Sequence, residues 1–172
     1  VGGIAIIVSR KIKTILYIMS PLFILLGIGL LIPIIFCFIY QEPHIYYKSF
    51  YIPSLISFGL GIVFSFLKTE EVNLSLTNSM LIVGLSWIFF SIIGGLPFII
   101  GLDKSFIDAF FEAVSGFTTT GITVFQNLSA IPHSILIWRS LIQWFGGLGI
   151  LTFFLFITFR SEGELWQLFT AE

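Results

Sequence analysis

The sequence predicts an all-α integral membrane protein in which two leading transmembrane helices precede one unit of helix, re-entrant loop and helix. Hydrophobic residues make up 57% of the 172 residues, charged residues only 10%, and the mean hydropathy is +1.07. Soluble domains carry about 25% charged residues, so this composition excludes an ordinary soluble domain. Four long apolar runs, with a short hydroxyl-rich segment between the last two, give the order of the elements.

The first two apolar runs predict the two leading spans. Residues 14–39 fall within a stretch of 28 uncharged residues between Lys13 and Glu42, and residues 49–67 are also uncharged. Both runs are close to the length of about 20 residues that a helix needs to cross a membrane. Residues 1–71 are therefore predicted to form an N-terminal two-helix region, with the second span ending at Lys68–Glu71.

The third and fourth apolar runs, residues 78–100 and 133–159, are the remaining predicted spans. Together with the segment between them they form a predicted helix–loop–helix unit over residues 72–160. Residues 161–172 follow this unit and are predicted to be cytoplasmic.

The segment between the third and fourth spans predicts a helix too short to cross the membrane. Residues 105–117 would form a helix of roughly 20 Å, whereas the hydrocarbon core is about 30 Å thick. Ser105 is a suitable N-cap, and Asp108 lies in the first turn, where a carboxylate favours the positive end of the helix dipole. The sequence therefore predicts a half-helix that ends near Gly116 with its negative end inside the membrane.

A polar stretch follows this half-helix. Residues 112–124 read EAVSGFTTTGITV, and no charged residue occurs between Ala113 and Trp138. Non-helical backbone at membrane depth is tolerated only where protein buries it or where it lines water. A re-entrant loop of this composition can present carbonyl and hydroxyl oxygens to a dehydrated cation.

Two motifs resemble the first pore repeat of the TrkH/KtrB family of potassium-uptake proteins. They are FFEAVSGFTTTGITV at residues 110–124 and LIWRSLIQWFGGLGI at residues 136–150. The two leading spans and residues 165–172 are also similar to the family. The resemblance implies a pseudo-fourfold, K⁺-channel-like pore of four covalently linked helix–pore-loop–helix repeats, of which residues 72–160 are the first. Since only this repeat occurs here, the chain is expected to be an N-terminal fragment, with residues 161–172 leading to the missing repeats.

The resemblance also implies a selectivity filter and the residues that support it. The filter residues are Thr119, Thr120, Gly121 and Ile122, with K⁺ at the first three. Their carbonyls would replace the water around K⁺, and Gly121 would adopt torsions that a Cβ disfavours. Thr118 and Thr123 flank the filter and are expected to support it.

Two charged residues bracket this loop in the sequence. Ionisable groups inside membrane proteins usually pair or line a water path, so Glu112 and Arg139 are predicted to brace the half-helix against the fourth span. The alternative is two separate interfacial residues. If the brace exists, a charge swap is predicted to restore the folding that each single substitution loses.

Three glycines of the fourth span, Gly146, Gly147 and Gly149, are predicted to permit close helix packing. A phosphate-binding loop is the other interpretation. The sequence has neither a Gly-x-Gly-x-x-Gly motif nor the lysine of a P-loop, so packing is favoured.

The family resemblance implies potassium uptake, with K⁺ as the transported ion and no covalently bound cofactor. The implied partners are the missing repeats of the same polypeptide, a second copy in a homodimer, a cytoplasmic nucleotide-binding ring of the TrkA/KtrA type, and membrane lipid. Nucleic acid is not an expected partner, because the net charge is −1 and no basic cluster of the kind typical of nucleic-acid binding occurs.

The expected location is the bacterial inner membrane, with several spans and a cytoplasmic N-terminus. Basic residues flanking the spans favour the cytoplasmic side. In this orientation five lie inside and three outside. The inner set is Arg10, Lys11, Lys13, Lys68 and Arg160; the outer set is Lys48, Lys104 and Arg139.

Other functions are compatible with parts of the pattern. The chain could form a homotetrameric pore-loop cation channel, or a non-conducting fragment that only packs in the membrane. Ser115–Gly116 also suggests a rhomboid-like serine protease, which needs a histidine base near the serine. His133 lies at the edge of a span, so no enzyme activity is predicted.

Overall fold

In the computed structural model of the chain, the described residues form α-helices and the non-helical segments between them. It describes the backbone of residues 2–67 and 76–170 and the side chains of residues 12–67 and 79–152. The helices are α1 (Gly2–Ile39), α2 (His44–Ser65), α3 (Leu76–Leu102), α4 (Phe106–Phe117) and α5 (His133–Thr170), with a 3₁₀ turn at Leu128–Ala130. No strand occurs in these described ranges.

Four helices contain a segment that is long and apolar enough to cross a membrane. These segments are Ile12–Ile39, His44–Ser65, Ser79–Leu102 and His133–Thr152. In contrast, α4 has 12 residues and is about 18 Å long, which is too short to span. The predicted all-α integral membrane fold is therefore confirmed.

Some helix ends differ from those predicted. Helix α2 begins at His44, directly after Pro43, five residues before the predicted start at 49. Helix α5 continues to Thr170, past the predicted end at 159, because the polar residues beyond that point include good helix formers such as glutamate and glutamine. The predicted end of the second span at Lys68–Glu71 lies outside the described residues, and the division at 71 and 160 stays a prediction.

Helices α1 and α2 form a hairpin in which buried serines link the two backbones. Ser54 Oγ donates a hydrogen bond to the Gly27 carbonyl at 2.9 Å, and Ser57 Oγ donates to the Phe23 carbonyl at 2.6 Å. Small hydroxyl residues are typical of such interfaces, since they allow close approach and add interhelical hydrogen bonds. The hairpin is therefore held by polar contacts of its own.

An aromatic cluster joins this hairpin to the rest of the chain. Phe23 is fully buried, and its ring centroid lies 5.4 Å from that of Phe64, 5.9 Å from Phe89 and 5.8 Å from Phe90. Phe90 in turn lies 5.9 Å from Phe117, the last residue of α4. The C-terminal end of the half-helix thus packs against this aromatic cluster.

Glycines allow α4 to lie close to α3 and α5. A Cβ atom at Gly95 of α3 would lie 3.0 Å from the Ala109 carbonyl oxygen. A Cβ atom at Gly116 would overlap the Ile142 side chain of α5. These contacts place the half-helix between the two flanking spans.

Candidate functional site

The half-helix α4 begins with a side-chain cap. The Asp108 N–H donates to Ser105 Oγ at 3.1 Å, and Ser105 Oγ donates to Asp108 Oδ2 at 2.8 Å. The carboxylate also lies at the positive end of the helix dipole, where it stabilises the helix. Ser105 therefore starts α4 as the sequence predicts, and α4 ends one residue after Gly116.

The C-terminal end of α4 closes in a Schellman motif with a threonine in the left-handed position. The Thr119 N–H donates to the Gly116 carbonyl and the Thr120 N–H to the Ser115 carbonyl, both at 2.9 Å. Thr119 has a φ of 56°, although this position is usually glycine or asparagine. A β-branched residue with positive φ is an outlier and costs of the order of 1–3 kcal/mol.

The four predicted filter residues form a continuous exposed segment, and its first two residues, Thr119 and Thr120, belong to this motif. Thr119, Thr120, Gly121 and Ile122 are all exposed, and Ile122 has 58% of its surface accessible. Gly121 has a φ of 79°, and no described atom lies within 4 Å of the position a Cβ would take. The backbone torsion, and not crowding by the described residues, is therefore what favours glycine here.

Hydroxyl groups next to this segment bind backbone carbonyls. Ser115 Oγ donates to the Ile122 carbonyl at 2.5 Å, and Thr118 Oγ1 donates to the Val114 carbonyl at 2.8 Å. Thr118 Oγ1 also lies 2.7 Å from Thr120 Oγ1. Because the single Thr118 proton goes to Val114, Thr120 is the donor in that pair. Both ends of the exposed segment are thus tied to α4.

The Glu112 carboxylate joins three parts of the site. It is 3% exposed and accepts hydrogen bonds from Thr123 Oγ1 at 2.9 Å, from the Val124 N–H at 3.0 Å and from Arg139 Nε at 2.6 Å. Charge-assisted bonds of this kind are stronger than neutral ones. One buried side chain therefore connects α4, α5 and the two loop residues that follow the exposed segment, Thr123 and Val124.

The next residue of the loop, Phe125, has two cationic side chains near its ring. Lys104 Nζ lies 5.4 Å and Arg139 Cζ 5.5 Å from the centroid of the Phe125 ring. Both distances are within the range of cation–π attraction. The sequence does not reveal this cluster, since its members come from three different parts of the chain.

The glycines of α5 differ in their surroundings. A Cβ atom at Gly146 would overlap the Phe117 carbonyl oxygen and would lie 2.6 Å from the carbonyl carbon. At Gly147 the nearest described atom is Thr119 Cγ2 at 3.8 Å, and at Gly149 none lies within 4 Å. Close packing is therefore present at Gly146, whereas at the other two positions it stays a prediction.

Sequence reasoning did not identify Gly94 as part of the site. A Cβ atom there would lie 2.7 Å from the Phe117 ring, and the Gly94 carbonyl accepts a hydrogen bond from Trp138 Nε1 at 2.8 Å. The adjacent pair Gly94–Gly95 was the available signal, because small residues mark close helix contacts in membranes.

The contacts of Ser115 and His133 do not favour the serine-protease alternative. The Ser115 hydroxyl donates to a carbonyl and not to a histidine. His133 instead stacks on Tyr40, with ring centroids 3.8 Å apart. Among the side chains that the structure describes, no group of three or more His, Cys, Asp or Glu residues is placed to hold a metal ion.

Comparisons with known proteins give consistent results. Residues 47–166 match the family model described as "TrkH: Cation transport protein". An uncharacterized cation transporter of Methanocaldococcus jannaschii is 36% identical over 171 residues, covering 99% of this chain and 35% of the relative. The potassium uptake protein TrkH of Escherichia coli K12 is 43% identical over 86 residues, covering 49% of this chain and 18% of that protein.

A solved structure has the same fold. The crystal structure of the potassium transporter TrkH from Vibrio parahaemolyticus superposes with a TM-score of 0.78 at 32% sequence identity, covering 85% of this chain and 31% of that one. The chain thus spans about a third of the length of the relatives that it matches most fully. Because the family model covers more than half of the sequence, the chain belongs to the TrkH family of cation transport proteins.

Proposed function

We propose that the protein takes up K⁺ across the cell membrane and that this chain supplies one of four loops of its selectivity filter. The observation that carries this proposal is the exposed segment Thr119–Ile122, which is tied at both ends to a half-helix inside a membrane fold. The potassium uptake proteins among its relatives support K⁺ as the transported ion.

The physical basis is the direction of the half-helix. The C-terminal end of a helix carries about half a negative charge, and α4 ends at Phe117, two residues before the first residue of the exposed segment. Carbonyl oxygens of Thr119, Thr120 and Gly121 would replace the hydration shell of K⁺. One loop supplies only part of a ring of oxygen atoms around the ion, so three further loops are required.

The supporting residues make the loop rigid before the ion arrives. Thr118 bonds to α4, while Thr123 bonds to the Glu112 carboxylate, which Arg139 also contacts. A binding site held in place by packed side chains does not have to reorganise when the ion enters. We assign filter support to these four residues.

The same proposal includes the surroundings of the protein. We place the N-terminus in the cytoplasm of a bacterial cell, so that the α1–α2 connection and the filter loop lie outside. A homodimer, a cytoplasmic nucleotide-binding ring and the further repeats of the polypeptide are its proposed partners.

A glycine substitution in the intact parent protein tests the filter. Cells that lack their own K⁺ uptake would express the wild type, Gly121→Ser or the control Gly84→Ser, and Rb⁺ uptake would be measured with and without Na⁺. Gly84 is a suitable control because it is exposed on α3 with no described atom within 4 Å of its Cβ position. We expect Gly121→Ser to lose uptake or ion preference and Gly84→Ser to resemble the wild type.

The outcome separates the proposal from its alternatives. Wild-type protein without K⁺ uptake would overturn the transport function, and unchanged selectivity in Gly121→Ser would overturn the filter assignment. The purified 172-residue chain is expected not to conduct in vesicles. Conduction by that chain alone would support the homotetrameric channel instead.

A further inference from the structure

A buried carboxylate from the α1–α2 connection caps the first turn of α5. The Glu42 side chain is 7% exposed, and its Oε1 accepts a hydrogen bond from the Ser134 N–H at 3.2 Å. Its Oε2 accepts a short hydrogen bond from Ser134 Oγ. The Ser134 residue is fully buried, so this contact has little access to water.

The residue that precedes α5 cannot cap it with a side chain. Pro132 precedes His133, the first residue of the helix, and has no side-chain acceptor; its carbonyl accepts from the Leu136 N–H at 3.1 Å. The N–H groups of a first helical turn need partners from outside the helix. Glu42 meets this need from 92 residues away and places its charge at the positive end of the helix dipole.

The contact lies at one end of a chain of bonds that reaches the filter loop. Arg139 is five residues after Ser134, about 7.5 Å along the helix axis. Its Nε bonds to Glu112, and Glu112 accepts from Thr123 and Val124 of the loop. Any axial shift of α5 therefore moves the guanidinium that holds the loop.

We propose that Glu42 is a positioning residue for ion selection, acting through α5 and the Arg139–Glu112 pair. It fixes α5 along its axis relative to the two leading helices and thereby sets the geometry of the segment after Gly121. The leading hairpin would then determine ion preference although neither of its helices contributes to the filter. This inference rests on the proposed K⁺ uptake.

The test uses the full parent protein and compares ion preference with protein amount. Glu42→Gln removes the charge at nearly constant volume, Glu42→Ala removes the acceptor, and Ser134→Ala removes one donor. Lys48→Gln is the control, because it removes an exposed charge from the beginning of α2. Rb⁺ uptake per molecule and the Na⁺ concentration that halves it would be measured for each variant in cells lacking other K⁺ uptake.

We expect the preference for Rb⁺ over Na⁺ to fall about fivefold in Glu42→Gln, at the lower end of coupling between separate sites. Glu42→Ala should show a larger change, Ser134→Ala a smaller one, and Lys48→Gln none. If all three test variants change only the amount of protein, Glu42 is a structural cap and the inference is wrong. Absence of uptake by the wild type would instead overturn the proposed function.

Discussion

Arg139 Nε donates to Glu112 Oε1 at 2.6 Å, in a site where the arginine side chain is 14% and the carboxylate 3% exposed. The pair lies between the half-helix and the last described span, and the same carboxylate binds the Val124 N–H at 3.0 Å. The Glu112 carboxylate thus pairs with a cation and also accepts a hydrogen bond from a backbone N–H. The two roles lead to different expectations for substitutions.

For the pair itself, we expect Arg139→Gln to destabilise the parent protein by about 3–5 kcal/mol, because it leaves a buried carboxylate without its cation. The double variant Glu112→Arg with Arg139→Glu should not restore stability, since an arginine cannot accept the hydrogen bond of the Val124 N–H. Thermal unfolding in detergent measures both. Recovery of the wild-type melting temperature by the swap would show that charge attraction alone matters.

At the crossing of α4 and α5, Gly146→Ala should destabilise the protein by about 1–3 kcal/mol, the usual cost of overpacking. The methyl group would overlap the Phe117 carbonyl, which is backbone and cannot rotate away. Gly84→Ala in α3 is the matched control and should cost little, as no described atom lies within 4 Å of its Cβ position. An equal loss in both variants, measured by thermal unfolding, would contradict this account of Gly146.

For the left-handed turn after α4, we expect Thr119→Gly to be more stable than Thr119→Ala by about 1 kcal/mol. Both variants lose the hydroxyl and the methyl group, but only alanine keeps a Cβ at positive φ, where it is strained. Melting temperatures of the two variants decide the question. Equal stabilities would indicate that the turn is not strained. Separately, we expect both variants to lose their preference for K⁺.

For the hydroxyl that ties the loop to the half-helix, Ser115→Ala should cost about 1 kcal/mol, the net value of a typical hydrogen bond, and should lower K⁺ preference. Ser140→Ala is the control: its exposed hydroxyl donates to the Leu136 carbonyl of its own helix at 3.1 Å. We expect that change to remain within about 0.5 kcal/mol. Ion competition and thermal unfolding would be measured for both variants. Equal effects of Ser115→Ala and Ser140→Ala would contradict the role assigned to the Ser115 hydroxyl.

The elements predicted well from sequence depend on local chemistry. Ser105 and Asp108 are three residues apart, so their capping contact follows from helix geometry alone. The half-helix between two longer spans follows from length and hydropathy. The pairing of Glu112 with Arg139 follows from the cost of leaving single charges in a membrane, although their support of the filter stays a prediction.

The contacts that sequence reasoning missed depend on how distant segments pack. Nothing near Glu42 in the sequence indicates that its partner is Ser134. Similarly, the positive φ of Thr119 has no signal in a residue type that normally avoids it. The Val124 N–H could not be predicted as a partner of Glu112, because this contact depends on the path of the loop, which the sequence does not specify. Because Val124 needs an acceptor at position 112, we expect the charge swap not to restore folding, in contrast to the expectation from sequence.

The serine contacts of the α1–α2 hairpin bear on how the protein is inserted. Ser54 and Ser57 bond only to carbonyls of α1, so these contacts are complete once the first two helices have met. Membrane helices form individually and associate afterwards, and synthesis delivers these two before α3, α4 and α5. The hairpin can therefore assemble in the bilayer before α5 leaves the ribosome, with Glu42 already in place when the N-terminus of that helix arrives.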